Sequence, residues 1–134
     1  MKATSYFIFV LSFLLILLSC SDDSDILSPI AEFKYRSIAY KSLTDQQKES
    51  ITHAWQDAYV EQGNYQTGKY SPHFIVINSN HKLGFSLIDE NTRIDLDQSL
   101  IAVSFGTKDA ILLGPITVII NPKKENVIGF VGRN

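Results

Sequence analysis

The chain has 134 residues, a formal charge of −2 and a single cysteine. This length accommodates one ordinary domain, and the near-neutral charge lacks the basic surface that nucleic acid requires. One cysteine excludes an internal disulfide and a multi-thiolate metal cluster. The hydrophobic residues, 45% of the total, are unevenly spread, since 15 of the first 20 residues are hydrophobic. The chain therefore joins an apolar N-terminal segment to a domain of more ordinary composition.

The N-terminal segment has the pattern of a secretory signal peptide. Lys2 supplies a positive charge, and Ser12 alone interrupts an apolar run of 13 residues, 6–18. At 1.5 Å per residue this run would form a helix about 20 Å long, which is shorter than a bilayer-spanning helix. A charged start, a short apolar run and small residues at the end predict an export signal over residues 1–19.

The residues that end this segment, Leu17-Leu18-Ser19-Cys20, resemble a bacterial lipobox. In lipoproteins with that motif the cysteine thiol receives a diacylglyceryl group, a peptidase cuts before the cysteine, and the freed amine is acylated. One acyl chain anchors a protein only marginally, at about 0.8 kcal/mol per buried CH₂, whereas two or three anchor it durably. The resemblance implies lipidation of Cys20 by palmitate-type chains and attachment to the outer membrane, on its periplasmic face or at the cell surface. The alternatives are a plain secretory signal with an incidental cysteine and an uncut N-terminal anchor.

Residues 21–25, Ser-Asp-Asp-Ser-Asp, form an acidic run without apolar side chains. The run is either a solvated spacer or the acidic tether that it resembles in surface-exported lipoproteins of Bacteroidota. We assign residues 20–29 to a lipidated tether and residues 30–134 to a single domain. Without Lys2 and the three tether aspartates, the 12 basic and 14 acidic groups become 11 and 11, so the domain is formally neutral.

The first part of the domain is predicted to hold a strand and then a helix. Phe33 and Tyr35 alternate with charged residues, which favours a strand over residues 31–40. Thr44 and Gln47 form a capping box, and the apolar stripe that follows has helical spacing. The predicted helix ends near Gly63. The stripe comprises Ile51, Ala54, Trp55, Ala58 and Tyr59.

From residue 73 onward the hydrophobic period changes to two, which is typical of strands. Strands are predicted at 73–78, 82–88, 99–105 and 127–131, with a turn at 121–126. The run 110–120 is apolar, but Gly114 and Pro115 interrupt it and indicate a bulge, an edge or a bend.

These elements predict an α+β fold in which one N-terminal amphipathic helix packs across a four- to five-stranded antiparallel meander sheet. The element order strand, helix, strands resembles that of cystatin-like and PepSY-like domains. The inhibitory Gln-x-Val-x-Gly hairpin of cystatins is absent from the sequence.

Recognisable catalytic motifs are missing from the sequence. It holds no nucleophile elbow, P-loop, dinucleotide-binding fingerprint, zinc-protease motif or EF-hand loop. Lipidation of Cys20 also removes the only thiol from nucleophilic or redox chemistry. The sequence therefore predicts no catalytic residue and no cofactor.

Glu49, His53 and Asp57 form the best candidate for a metal site. They are four residues apart, so they share one face of the predicted helix. One imidazole and two carboxylates are a ligand set for Zn²⁺ with an open position. Exposed helix faces carry such residues routinely, and we favour that interpretation, so no metal is predicted.

Arg93, Asp95 and Asp97 form a second candidate. In an extended segment all three point the same way and the aspartates lie about 7 Å apart. This spacing suits carboxylate-pair chemistry or a Ca²⁺ ligand set, with Ile94 and Leu96 filling a buried opposite face. The alternative is an ordinary half-exposed strand.

Tyr65 and Tyr70 lie in the predicted connection 63–72, beside Asn64. Tyrosines on a loop combine apolar area with a hydroxyl, which suits contact with a sugar or a peptide. The alternative is that they fold back over the core.

The sequence thus predicts a lipid-anchored cell-envelope lipoprotein with a non-catalytic binding or accessory role. Its partners are the membrane, through the lipid on Cys20, and an envelope protein, peptide or glycan, but not nucleic acid. The alternative is a small envelope hydrolase that uses Asp95 and Asp97 as a carboxylate pair.

Overall fold

The computed structural model describes residues 27–70 and 72–133. The predicted signal peptide 1–19, the lipidation site Cys20 and residues 21–26 of the predicted tether lie outside the described residues. Leu27 already packs against the buried core, so the domain begins within the stretch assigned to the tether. Within the described part of the chain, no helix has the length and apolarity that crossing a membrane requires.

The first element is a helix, α1 (Pro29–Ser42), and not the strand predicted over residues 31–40. Its start is well capped, because the Ser28 hydroxyl accepts a hydrogen bond from the Ala31 amide at 3.2 Å and proline occupies the first helical position. Tyr35 and Ala39 are buried four residues apart, whereas Phe33 is exposed. The alternation of aromatic and charged residues was therefore misleading, and the helical spacing decides the structure.

The long helix predicted to end near Gly63 is also wrong, although its capping box is confirmed. The Thr44 hydroxyl accepts from the Gln47 amide at 3.2 Å, and the Gln47 side chain accepts from the Thr44 amide at 2.8 Å. The helix that follows, α2 (Asp45–Ser50), has only six residues. After a single 3₁₀ turn (Trp55–Asp57), the chain enters β1 (Tyr59–Gln66).

Gly63 lies inside β1 and does not end a helix. A Cβ atom at this position would lie 2.6 Å from the backbone oxygen of Val76 on the neighbouring strand. The glycine therefore allows two strands to approach closely.

The rest of the chain is mostly antiparallel strands. The four strands predicted from residue 73 onward are confirmed, and their observed ends differ from the predicted ones by no more than about two residues. The strand predicted at 82–88 is split in two at Phe85. The apolar run 110–120 is a short helix followed by a strand, with Gly114 and Pro115 between them. The elements are β2 (Phe74–Asn78), β3 (His81–Gly84), β4 (Ser86–Leu87), β5 (Ser99–Phe105), α3 (Ala110–Leu113), β6 (Ile116–Asn121) and β7 (Asn126–Phe130).

The strands form one seven-stranded antiparallel sheet in the order β3-β2-β1-β5-β6-β7-β4. The α+β class is confirmed, but the sheet is larger than the four to five strands predicted. Its two outermost strands, β3 and β4, are consecutive pieces of one segment, with only Phe85 between them. The sheet therefore curls until its ends meet, which makes it barrel-like.

Each face of the curled sheet buries its own apolar cluster. On the outer face, α1 packs over β1, β5, β6 and β7, and Ile101, Val103 and Phe105 lie beneath it, as their alternation in the sequence predicts. The inner cluster fills the barrel-like interior. Its buried members are Tyr65, Ile75, Phe85, Leu100, Ala102, Ile119 and Ile128.

An ion pair joins α1 to the turn between β6 and β7. The Lys34 ammonium donates a hydrogen bond to the Glu125 carboxylate. This hydrogen bond raises the pKa of Lys34 above its ordinary value. Both side chains are about half exposed, so solvent screens the pair and it adds little to the stability of the fold.

Candidate functional site

A cleft of about 750 Å³ opens where the two ends of the sheet meet. We call it the seam cleft. Its lining comes from the connection that precedes β2, from the kinked segment 84–87, and from two residues that follow β4 and β7, Glu90 and Gly132. A concave surface of this volume matches the usual size of a small-ligand site.

The kink at Phe85 creates the seam. The Phe85 amide donates to the carbonyl of His73 at 3.0 Å, and three residues later the Ile88 amide donates to the carbonyl of Ile128 at 3.0 Å. The segment thus changes its hydrogen-bonding partner from the β2 side to β7. Gly129 makes this possible, because a Cβ there would lie 2.7 Å from Cδ2 of Phe85.

Three rings form a packed group behind the cleft. The His73 ring lies 5.6 Å from that of Phe85 and 6.0 Å from that of Tyr65, measured between centroids. The Tyr65 hydroxyl and His73 Nδ1 are 2.9 Å apart and share a hydrogen bond. Tyr65 and Phe85 are 5% and 3% exposed, so the core holds His73 at the cleft in one orientation.

The rim of the cleft is polar and aromatic. Tyr70 is 92% exposed, and the Lys69 ammonium lies 5.5 Å from the centre of its ring. Ser86 and Glu90 are exposed lining residues. An exposed ring beside a hydroxyl and a carboxylate offers a stacking surface with hydrogen-bonding groups close by.

The two predicted tyrosines have different positions. Tyr70 lies in the connection before β2, as predicted, and lines the seam cleft. Tyr65 lies in β1 and is buried, so its predicted place in a loop is wrong. Its hydroxyl is linked to the cleft through the hydrogen bond with His73.

The extended segment predicted for Arg93, Asp95 and Asp97 is wrong. Asp97 has φ of 61°, in a turn, and Leu96 is 66% exposed instead of buried. Ile94 does pack against the inner cluster. All three predicted site residues are exposed, and none of them lines the seam cleft.

The shared helix face predicted for Glu49, His53 and Asp57 is also wrong, because α2 ends at Ser50. His53 and Asp57 do line one cavity, of about 150 Å³, but Glu49 does not. Over residues 27–70 and 72–133, no three His, Cys, Asp or Glu side chains converge in a way that would hold a metal ion.

The same small cavity includes Ser104, which raises the question of a nucleophile beside a base. The Ser104 hydroxyl is 2.8 Å from the hydroxyl of Thr117. His53 Nδ1 is 2.9 Å from the hydroxyl of Thr52. The hydrogen bonds described for Ser104 and His53 thus join each of them to a threonine, and the geometry does not favour catalysis there.

Comparison with protein-family models, with curated proteins and with solved structures found no match to this chain. The functional interpretation therefore depends on the residues themselves. The sequence prediction missed His73, Phe85 and Gly129 as builders of the cleft. One signal was present, since an isolated glycine inside an apolar strand, here Gly84, often marks a bulge or a break.

Proposed function

We propose that this chain is a lipid-anchored protein of the cell envelope whose domain binds a glycan or peptide segment in the seam cleft without catalysing a reaction on it. The observation that carries the binding role is the cleft itself, with a packed aromatic wall and an exposed tyrosine at its rim. The lipid anchor is supported by the residues Leu17-Leu18-Ser19-Cys20.

A glycan or an extended peptide suits the cleft for a physical reason. The exposed ring of Tyr70 can stack on the apolar face of a pyranose or on a peptide side chain. Ser86 and Glu90 can accept hydrogen bonds from hydroxyl or amide groups of the same ligand. His73 is held by Tyr65, so it presents a fixed edge and loses little freedom on binding.

The binding role is tested by titrating the protein with soluble fragments of envelope glycan and with short peptides, followed by calorimetry or NMR. For a ligand that binds, Tyr70→Ala should weaken affinity roughly tenfold, as for a typical binding hot spot. The matched control is Tyr59→Ala, because Tyr59 is also exposed, at 65%, but does not line the cleft. Equal losses in both variants, or shifts confined to residues away from the cleft, would rule out the seam cleft as the site.

The anchor is tested separately by metabolic labelling with a clickable palmitate analogue. The wild-type chain should be labelled and remain with membranes, whereas Cys20→Ala should lose the label and be released. A Cys20→Ala chain that keeps the label would show that the lipobox interpretation is wrong. Protease treatment of intact cells then distinguishes the periplasmic face from the cell surface.

A further inference from the structure

Two apolar side chains are exposed at the start of the domain. Ile30 and Phe33, one turn apart on α1, are 84% and 53% exposed. The Phe33 ring lies 5.4 Å from that of Trp55, which stacks on Tyr40 at 5.5 Å. Trp55 itself is partly buried against the core, so we call only Ile30 and Phe33 the α1 patch.

The helix that carries the patch is locally cationic in a neutral domain. Three basic residues and one acidic residue, Glu32, give α1 a formal charge of +2. Glu32 and Glu125 pair with Arg36 and Lys34, and Lys41 is exposed in the last turn. An exposed aromatic side chain on a helix of net positive charge suits contact with the headgroup region of a bilayer.

The position of the proposed anchor places the patch close to the bilayer. Six residues lie between Cys20 and Leu27, and the seven residue steps from one to the other span at most about 24 Å. Ile30 is the second residue of α1, two positions after Ser28. A bilayer that holds Cys20 therefore lies within reach of this end of the helix.

A second copy of the chain is a poorer occupant of the patch. A stable protein interface buries about 800 Å² on each partner, whereas the strongly exposed apolar groups here are two side chains. A bilayer requires no complementary pocket, and the lipid anchor already holds the protein against it.

We propose that the α1 patch rests on the surface of the bilayer that holds the lipid anchor. This inference depends on the proposed lipidation of Cys20 but not on ligand binding. α1 covers the middle strands of the sheet and β7. The seam cleft lies at the edge strands, since its lining comes mainly from residues at β2, β3 and β4. Contact through α1 thus leaves the cleft open towards the side away from the membrane.

The competing apolar surface is α3, where Ile111 and Leu112 are 99% and 81% exposed. α3 comes just before β6 in the chain. The first half of α1 lies beside the turn that follows β6, because Lys34 pairs with Glu125 there. The two surfaces therefore lie towards opposite ends of β6, so a measurement of depth separates them.

The test uses the lipidated full chain, reconstituted into phosphatidylethanolamine–phosphatidylglycerol vesicles with and without bromine on the acyl chains. Trp55 is the only tryptophan, so Trp55→Phe removes the native reporter and allows a single tryptophan to be placed elsewhere. In this background we expect brominated lipid to quench a tryptophan introduced by Ile30→Trp, and vesicle binding to shift its emission to shorter wavelength. The double substitution Trp55→Phe, Leu112→Trp moves the reporter to α3, where we expect little quenching.

Failure of this inference is distinguishable from failure of the anchor. If the protein does not float with vesicles in a density gradient, the lipid anchor itself fails. If it floats but the reporter at residue 30 is unquenched, or if the reporter at residue 112 is quenched as strongly as the one at residue 30, the membrane contact through α1 is overturned.

Discussion

Gly129 sets how closely β7 approaches the kinked segment. The space that its side chain would need is occupied by the Phe85 ring and by the backbone oxygen of Ser86. Backbone atoms cannot move aside as the end of a flexible side chain can, so any larger residue must push the two strands apart at the seam.

Gly129→Ala should therefore destabilise the domain by about 1–3 kcal/mol, the usual cost of overpacking a well-packed site. Urea unfolding followed by circular dichroism measures this change. Gly132→Ala is the control, since no atom lies within 4 Å of a Cβ there, and it should change stability by less than about 0.5 kcal/mol. Equal stability of the two variants would show that the close approach at Gly129 is not needed.

Among the elements, the first helix shows what the sequence could and could not predict. The sequence does carry the start signals of α1, which are Ser28, Pro29 and Glu32 in the first turn. The strand prediction instead followed the alternation of aromatic and basic residues, which extends over only four residues, 33–36. The apolar stripe that predicted a long second helix does not lie on one element. Ile51 is in an isolated β-bridge, Trp55 is in the 3₁₀ turn and Tyr59 begins β1. Local patterns found the strands from residue 73 onward because each is short and bounded by turn residues.

The packing of α1 gives a test of its observed register. Ala39 is completely buried between α1 and the sheet, where a larger side chain has no room. Ala39→Leu should cost about 1–3 kcal/mol, whereas Lys41→Ala, at an exposed position of the same helix, should change stability by less than about 0.5 kcal/mol. Thermal unfolding compares the two, and a neutral Ala39→Leu would contradict the observed packing.

At the scale of the whole molecule, Phe85 connects the two ends of the sheet. Its ring contacts His73 and lies 6.4 Å from Tyr65, while the residues on either side of it pair with β2 and β7. The curling of the sheet and the seam cleft could not be predicted from local patterns, because they depend on strands far apart in sequence meeting at one residue.

Phe85→Ala should cost about 3–5 kcal/mol, as expected for a large buried ring, and should loosen the seam first. Hydrogen exchange measures this directly. The Ile88 amide, bonded to Ile128, should lose protection before the amides of β5 and β6 at the centre of the sheet. Uniform loss of protection across the sheet would show that the seam is not a separate weak point.

The continuity of β3 and β4 also affects how copies of this protein behave beside one another. A sheet that ends in free strands exposes backbone groups able to pair with a neighbouring molecule, and closure removes such edges. The proposed lipid anchor would confine copies of this protein to the two dimensions of a membrane, where collisions between them are frequent. Here the two edge strands, β3 and β4, are each paired on one side only. They are also short, with four and two residues, and short edge strands offer a neighbouring molecule little to extend.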